Sequence, residues 1–344
     1  MNDLPRISIR VDGSMHPAEC VALAKAADAA GLDGIWFAEN AFARGILPAA
    51  TACAIATETI RINAGVFNPY SRHPTMMAME IGALDELSDG RTSLSIGAGI
   101  LSATEKMGLS AEKPAPALRD ALFIVRELLR GKEVDYSGPF YSAKKIKLDY
   151  QTRVQIPVYL AGRGNLTIKL SGEVADGLLI SNMCSVEFAG RAAELMRSSR
   201  RAAGRDSLGN VVQYMPCSVQ SESTEALKAA KHAIGEMLPR FWALGQKLGS
   251  AKEGLLSGTN ISEEDFSNSA SRLRAGDNPE RVLDDRYVGA FSLSGTPDEC
   301  LRLAKEYKAR GIDELALTFS GPAAIDEIVA IGAALAEARG LSGR

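Results

Sequence analysis

The chain has 344 residues, of which 46% are hydrophobic and 24% are charged, and its formal net charge is −3. This composition is typical of a globular protein with enough apolar residues for a large core. The sequence has no cluster of Lys and Arg that would neutralise nucleic-acid phosphates, so nucleic acid is not an expected partner. No apolar run is long enough to cross a bilayer, and residues 1–10 do not resemble a signal peptide. We therefore expect a cytoplasmic protein with no membrane partner.

The five cysteines and three histidines are scattered along the chain. None of them forms a C-x-x-C, H-x-x-x-H or H-E-x-x-H pair, so no metal site is predicted. We expect the cysteines to be small, buried apolar side chains in a reducing compartment.

Short β-branched runs alternate with longer amphipathic runs through the first 130 residues, which predicts four strand–helix units. The predicted strands cover residues 6–11, 35–38, 60–67 and 92–96, and the predicted helices cover 17–30, 47–57, 75–87 and 117–129. Residues 133–150 then break the pattern with a Gly-Pro turn between aromatic-rich segments, which indicates an inserted hairpin.

Four more units follow the hairpin. Their predicted strands cover residues 157–161, 177–180, 211–219 and 315–319, and their helices cover 166–175, 187–203, 224–238 and 323–338. A polar stretch at about 245–285 contains a helix-start signal at Ser262, which predicts a small helical insertion. A capping box from Thr296 to Glu299 begins one extra helix that reaches Arg310, before the eighth strand.

Eight strands that alternate with helices could close into a barrel or lie in an open, doubly wound sheet. The count of eight favours a (β/α)₈ TIM barrel with insertions, and we expect residues 1–344 to form a single domain. In such a barrel the segments that follow the strands meet at one mouth, so the strand ends are the place to look for chemistry.

Two glycine-rich turns follow predicted strands. Gly162-Arg163-Gly164-Asn165 opens a helix, where free backbone N–H groups and the arginine could bind an anion; a tight turn that merely requires glycine is the alternative. Gly97-Ala98-Gly99 is a weak dinucleotide fingerprint because it lacks a third glycine. It could instead let a flat ring approach the backbone, or it could be a structural turn.

Polar residues follow the second and third strands. Gly65 lies inside the third strand, where a glycine marks a bulge or a nearby ligand, and Asn68 ends that strand. At the end of the second strand, Glu39 could be a general acid or base, or it could pair with an arginine such as Arg44 or Arg72. The neighbouring Asn40 could hydrogen-bond a cofactor. His73, which precedes a proline, is expected to begin a helix rather than act as a base.

The runs at 31–42, 61–99 and 156–180 resemble the luciferase-like monooxygenase superfamily. Within it they are similar to the branch of methylenetetrahydromethanopterin reductase and related oxidoreductases that use the deazaflavin coenzyme F420. The resemblance covers most of residues 5–205 and resumes at 290–335, whereas the insertion at 240–285 carries no recognised motif.

The resemblance implies roles for the strand-end motifs. It implies a non-proline cis peptide at Gly65–Val66 behind the deazaflavin ring, with Asn68 beyond it. The remaining implied contacts are Gly97, Ala98 and Gly99 beside the ring or its ribityl chain, Gly162, Arg163, Gly164 and Asn165 at the phosphate, and Glu39 and Asn40 near the reactive edge.

One departure from the family bears on the substrate. Sugar-phosphate dehydrogenases of the superfamily have a histidine where this chain has Asn40 and a glutamate where it has Ile100. Without those groups the oxidation of a hydroxyl has no evident base, whereas reduction of an activated C=C or C=N bond requires less acid–base help.

The resemblance therefore implies an F420-dependent reductase of a small organic substrate. The alternative is a monooxygenase that uses O₂ and FMNH₂ from a partner flavin reductase, and a third possibility is a barrel that binds flavin without turnover. A homodimer or higher homo-oligomer is expected. Phe42, Phe241 and Trp242 are the candidates for an apolar wall around the substrate.

Overall fold

The computed structural model describes residues 3–153 and 155–340. Eight parallel strands of one sheet form a closed ring, because the strand that ends at Ile180 pairs with the strand that begins at Asn210. These strands are β1 (Arg6–Asp12), β2 (Gly34–Ala38), β3 (Arg61–Phe67), β4 (Thr92–Ile96), β7 (Val158–Ala161), β8 (Gly177–Ile180), β9 (Asn210–Val219) and β11 (Glu314–Thr318). The prediction of a TIM barrel is confirmed, and the open sheet is excluded.

Helices lie between the strands and surround the barrel. They are α1 (Pro17–Ala29), α2 (Leu47–Ala56), α3 (Pro74–Leu87), α4 (Leu101–Lys106), α5 (Pro114–Leu129), α6 (Asn165–Val174), α7 (Val186–Ala202), α8 (Ser223–Gly245), α9 (Gly249–Leu256), α10 (Glu263–Arg274), α11 (Pro279–Val282), α12 (Asp285–Phe291), α13 (Pro297–Ala309) and α14 (Ala324–Ala338).

Two short strand features lie outside the ring. The antiparallel strands β5 (Val134–Ser137) and β6 (Ser142–Ile146) form a hairpin within the stretch 133–150. The strand β10 (Leu293–Gly295) pairs in parallel with the end of β9 and was not predicted, since three residues are too few to show a period.

Alternation along the strands separates two environments. On β1, Ile7 and Ile9 pack in the large cluster between barrel and helices, whereas Ser8 and Arg10 lie at the intervening, inward positions. Trp36, Tyr159 and Tyr214 belong to a separate cluster inside the barrel. The ring of Trp36 meets the other two edge-on, with centroids 5.3 and 6.0 Å away. The barrel is therefore packed inside and is not a pore.

The amino ends of the strands are closed by a buried carboxylate. Glu314 is fully buried and pairs with Arg6 at 3.0 Å and Arg61 at 3.2 Å. The Ser8 hydroxyl and the Trp36 indole N–H also donate to it, each at 2.6 Å. Burial alone would raise the pKa of Glu314, but the two arginines and these hydrogen bonds lower it below its ordinary value. A charged network at this end of a barrel contributes to stability rather than to catalysis.

The helices after β9 form a smaller core of their own. Trp242 stacks on Phe266 with centroids 5.3 Å apart, and Tyr287 packs edge-on against Phe266 at 5.4 Å. The helix α8 continues to Gly245, seven residues past the predicted end, although Pro239 lies inside it. Burial of Leu238 and Trp242 in this core outweighs the hydrogen bond lost at the proline.

Candidate active site

The third strand has a bulge where the sequence places a glycine. The register between β3 and β4 shifts between Ala64 and Phe67, and the Gly65–Val66 peptide bond is cis. A Cβ added to Gly65 would lie 2.4 Å from the Ser95 carbonyl oxygen, and its φ is +151°, so glycine is required there. The predicted bulge and cis bond are both confirmed.

The turn after β4 packs closely against this bulge. A Cβ on Gly97 would lie 2.6 Å from Val66 Cγ1 and 3.0 Å from the Ala161 carbonyl oxygen. The Asn68 amide lies 3.1 Å from the Cβ position of Gly99, which has a φ of +66°. These glycines let the turn approach the strand end, with Ala98 between them.

Asn68 fixes the same region through its side chain. Its amide N–H donates to Thr104 Oγ1 at 2.9 Å, and its Oδ1 accepts from the Tyr70 backbone N–H at 2.9 Å. The bulge, the glycine turn and the first turns of α4 are therefore held as one unit.

The Gly162–Asn165 segment lies at the start of α6. Gly162 is packed, since its Cβ would lie 2.6 Å from Thr167 Cγ2. Gly164 is open, because the nearest described atom to its Cβ position is Ser250 Oγ at 4.0 Å. None of the described side chains caps this helix, which leaves backbone N–H groups of Asn165 and the following residues available to an anion.

Arg163 lies beside that open helix end. Its Nε donates to Ser181 Oγ at 2.8 Å, its Nη2 donates to the Asn182 carbonyl, and its guanidinium lies 4.7 Å from the centre of the Phe241 ring. The remaining nitrogen, Nη1, is buried and has no hydrogen-bond partner among residues 3–153 and 155–340. A buried, unpaired donor of this kind is energetically costly unless a ligand satisfies it.

Glu39 is held at the end of β2 by an ion pair. Arg72 Nη2 lies 3.0 Å from Glu39 Oε1, while Arg72 Nη1 lies 2.7 Å from Glu80 and the guanidinium lies over the Phe67 ring at 4.0 Å. The Glu39 backbone N–H also donates to the Gly65 carbonyl at 3.0 Å, which ties it to the bulge. Burial raises the pKa of Glu39 above its ordinary value, although Arg72 opposes the change.

These contacts show which of the two candidate arginines pairs with Glu39. The arginine partner of Glu39 is Arg72, because Arg44 donates instead to the carbonyls of Gly13 and Ser14. His73 is the N-cap of α3 and accepts from the Thr75 N–H, as expected of a helix-entry residue.

The end of β1 supplies polar groups that sequence reasoning missed. Arg10, only 9% exposed, donates to Asp12 and to Thr318 Oγ1, both at 3.2 Å, and lies 5.1 Å from the centre of the Tyr214 ring. Burial alone would raise the pKa of Asp12, but Arg10, hydrogen bonds from Ser14 and the Asn40 side chain lower it below its ordinary value. The Asn40 side chain therefore contacts Asp12 in this polar group, whereas the Glu39 carboxylate pairs with Arg72.

Two buried atoms in this group have no hydrogen-bond partner among the residues that the structure describes. Arg10 Nε and the Tyr214 hydroxyl make no hydrogen bond within the described part of the chain. Burial raises the pKa of Tyr214 far above its ordinary value, so its hydroxyl stays protonated and can donate. Charged residues at the inward positions of an otherwise apolar strand were the sequence signal that could have identified Arg10 and Asp12.

The aromatic candidates for a substrate wall have different environments. Phe42 is 69% exposed at the end of β2, and Phe241 is partly buried beneath Arg163. Trp242 instead belongs to the core of the α8–α12 helices, and its assignment to a wall is wrong.

The described residues contain neither a group of metal ligands nor a helix suited to cross a membrane. No three His, Cys, Asp or Glu side chains within residues 3–153 and 155–340 are grouped to hold a metal ion. Among the helices of those same ranges, none combines the length and the apolar character that a membrane crossing requires.

The fold and these strand-end groups define a (β/α)₈-barrel protein whose candidate site lies at the carboxyl ends of the strands, around a bulged third strand and an open helix end. The sequence profile of the luciferase-like monooxygenase family matches residues 3–314. The chain belongs to that family, and the resemblance noted in the sequence is confirmed.

Known proteins add detail to the family assignment. The chain is 29% identical over 293 residues to a 5,10-methylenetetrahydromethanopterin reductase of Archaeoglobus fulgidus, with 85% of this chain and 86% of the relative covered. It is similar to the solved structure of the coenzyme F420-dependent tetrahydromethanopterin reductase of Methanopyrus kandleri, with a TM-score of 0.83, 23% identity and coverage of 96% and 97%. A type II Baeyer–Villiger monooxygenase from Pseudomonas putida, solved with FMN, has a TM-score of 0.73 at 17% identity over 97% and 98% of the two chains.

Proposed function

We propose that the protein is an F420-dependent reductase that transfers a hydride between the deazaflavin and a small organic substrate with an activated C=N or C=C bond. The comparisons bear out the predicted oxidoreductase with a deazaflavin or flavin cofactor, since the similar proteins are named as F420-dependent reductases and dehydrogenases and as an FMN-dependent monooxygenase. The observation that carries the proposal is the buried, unpaired Arg163 Nη1 beside the uncapped start of α6, next to the strand ends that the Gly97 turn joins to the bulge of β3.

The residues present fit a phosphorylated tricyclic ring. Arg163 Nη1 is a buried donor without a partner among the described residues, and the adjacent helix end at Gly164 is open and uncapped. We propose that Gly162, Arg163, Gly164 and Asn165 hold the phosphate through these groups. When bound, F420 supplies or accepts the hydride.

The other predicted residues would shape the ring site. We propose that Gly65, Val66 and Asn68 back the ring, and that Gly97, Ala98 and Gly99 let it lie close to the backbone. Positioning of this kind keeps the two reactants in one orientation and contributes a large part of the rate enhancement.

We propose that polar side chains at the mouth of the barrel hold a proton and orient the substrate. Glu39, whose pKa is raised by burial, could hold a proton more readily than an exposed carboxylate, although Arg72 limits the change. Asn40 and Arg10 could orient a polar substrate atom, and the Arg10 Nε has no partner among the described side chains to compete for it. These roles remain predictions.

We also propose a domain organisation, an oligomeric state and a location for the protein. The whole chain acts as one domain, because Phe241 of α8 packs under Arg163 and the Gly254 carbonyl of α9 accepts from the Ser185 N–H at 3.0 Å. The exposed side chains Ile55, Met76 and Met79 on α2 and α3 support a homodimer or higher oligomer, which light scattering would measure. The free, buried cysteines support a cytoplasmic, reducing location.

The test is to titrate the purified protein with F420 and with FMN, and then to follow oxidation of each reduced cofactor with and without O₂. Tight binding of F420 and hydride transfer without O₂ uptake are expected. Preference for FMN with O₂ consumption would support the monooxygenase alternative and its partner flavin reductase. Binding without turnover of any activated C=N or C=C compound would leave only a flavin-binding barrel.

A further inference from the structure

A groove lies between α5 and α6 on the side of the open helix end. Its volume is about 340 Å³, and its walls include Pro116, Arg119, Pro139, Leu166 and Lys169. Both helices begin at the mouth of the barrel, because the segments that follow strands lie there. None of these five residues belongs to the strand-end groups described above.

The groove continues from the proposed phosphate site. Leu166 is the residue after Asn165, and Lys169 follows three residues later, about 4.5 Å along the axis at 1.5 Å per residue. Leu166 is 74% exposed and lies with Pro116 and Pro139 in the apolar part of the groove wall. A ligand that extends beyond the phosphate along α6 would meet Leu166 and then Lys169.

The charged side chains that line the groove are Arg119, Lys169 and Glu173, so the groove has a net positive charge. Arg119 is paired with Glu173 at 2.5 Å, so these two exposed side chains largely cancel. The Lys169 ammonium has no carboxylate within ion-pair distance in the described ranges. Neither α5 nor α6 has Asp or Glu in its first turn, whereas α7, α10 and α13 do. The helix ends therefore keep their partial positive charge beside the groove.

We propose that this groove receives the acidic tail of F420. The phosphate of F420 is a diester that continues through a lactyl group into a chain of glutamates, whereas FMN ends at its phosphate. A carboxylate of the tail would pair with Lys169, and its methylene groups would pack against Leu166 and Pro116. This inference rests on the proposed function, and it explains how the barrel would prefer F420 to FMN.

The test compares F420 with its glutamate tail, F420 without glutamates, and FMN, each titrated into the whole protein at low salt. The variants are Lys169→Glu and Lys169→Gln, with Lys25→Glu on the distant, exposed face of α1 as the matched charge change. Thermal melting followed by circular dichroism checks that each variant is folded.

The unaltered protein should bind tailed F420 more tightly than the form without glutamates, and the advantage should shrink from about 20 to about 300 mM salt. Lys169→Glu should weaken binding of the tailed form about fivefold, with a smaller loss for Lys169→Gln. Both variants should leave the other two ligands within about twofold, and Lys25→Glu should leave all three unchanged.

Equal affinity of the unaltered protein for tailed and tailless F420 would overturn the inference while leaving the proposed function intact. An equal loss for all three ligands in Lys169→Glu would overturn it as well, because the lysine would then act at the phosphate. Failure of both F420 forms to bind, with FMN bound, would overturn the proposed function and this inference together.

Discussion

Replacement of Glu314 by glutamine tests the idea that a buried carboxylate closes the base of the barrel. Glu314 is 0% exposed and accepts from four donors, two of them arginine nitrogens at 3.0 and 3.2 Å. Glutamine has nearly the same shape as glutamate but is neutral. Its amide NH₂ group is a donor and cannot accept a hydrogen bond from Arg6 or Arg61. Breaking a buried ion pair costs about 3–5 kcal/mol, and the retained amide oxygen places the expected loss at the lower end, about 3 kcal/mol.

The assay is equilibrium urea unfolding followed by far-ultraviolet circular dichroism, since fluorescence of the contacting Trp36 would respond to the substitution itself. Glu58→Gln is the matched control, because Glu58 is exposed and makes no ion pair within the described residues. Binding of F420 should be unchanged, because Glu314 lies at the opposite end of the barrel from the proposed site. A loss below about 0.5 kcal/mol would refute the reasoning, since that is the range of an ordinary surface substitution.

The same variant predicts a pH dependence. The pKa of Glu314 in the folded protein lies below its ordinary value of 4.5, because the arginines and hydrogen bonds outweigh its burial. Its stabilising contribution is therefore complete above about pH 4.5 and is lost as the pH falls through the folded pKa. The difference in unfolding free energy between the parent and Glu314→Gln should shrink on acidification below that pH. A difference that stays constant down to the acid transition would contradict the lowered pKa.

Three further predictions concern the mouth. Arg163→Ala should weaken both F420 and FMN about 10- to 100-fold in calorimetric titrations, because a charge-assisted hydrogen bond to phosphate is lost; an unchanged affinity would remove the arginine from the phosphate site. Gly97→Ala should cost about 1–3 kcal/mol and weaken ring binding, because its Cβ would displace Val66, whereas Gly45→Ala, with no described atom within 4 Å, should be neutral in thermal melts. Glu39→Gln should lower kcat about 100-fold with little change in cofactor affinity, and a kcat within threefold of the parent would leave Glu39 as no more than a partner of Arg72.

Much of the fold follows from local sequence. The strands Thr92–Ile96 and Gly177–Ile180 have the predicted bounds, because short β-branched runs between turn signals admit few other conformations. The bulge of β3 was also predictable from the sequence. A glycine inside an apolar strand indicates a bulge, and the structure has one at Gly65. The prediction failed where local signals compete with packing: the helix predicted to end at residue 238, just before Pro239, continues to Gly245 as α8 because Trp242 is buried.

The sequence by itself determined the alternation of strands and helices, the count of eight strands that favours a barrel, and the glycine positions at the strand ends, since each depends on residues close together in the chain. Only the tertiary structure decided which of these groups meet. Glu39 pairs with Arg72 and not Arg44, Arg10 joins Thr318 across the barrel, and Lys169 comes to line one groove with Arg119. These contacts join side chains tens to hundreds of residues apart, and the closure of the sheet, which no local pattern encodes, fixes their distances.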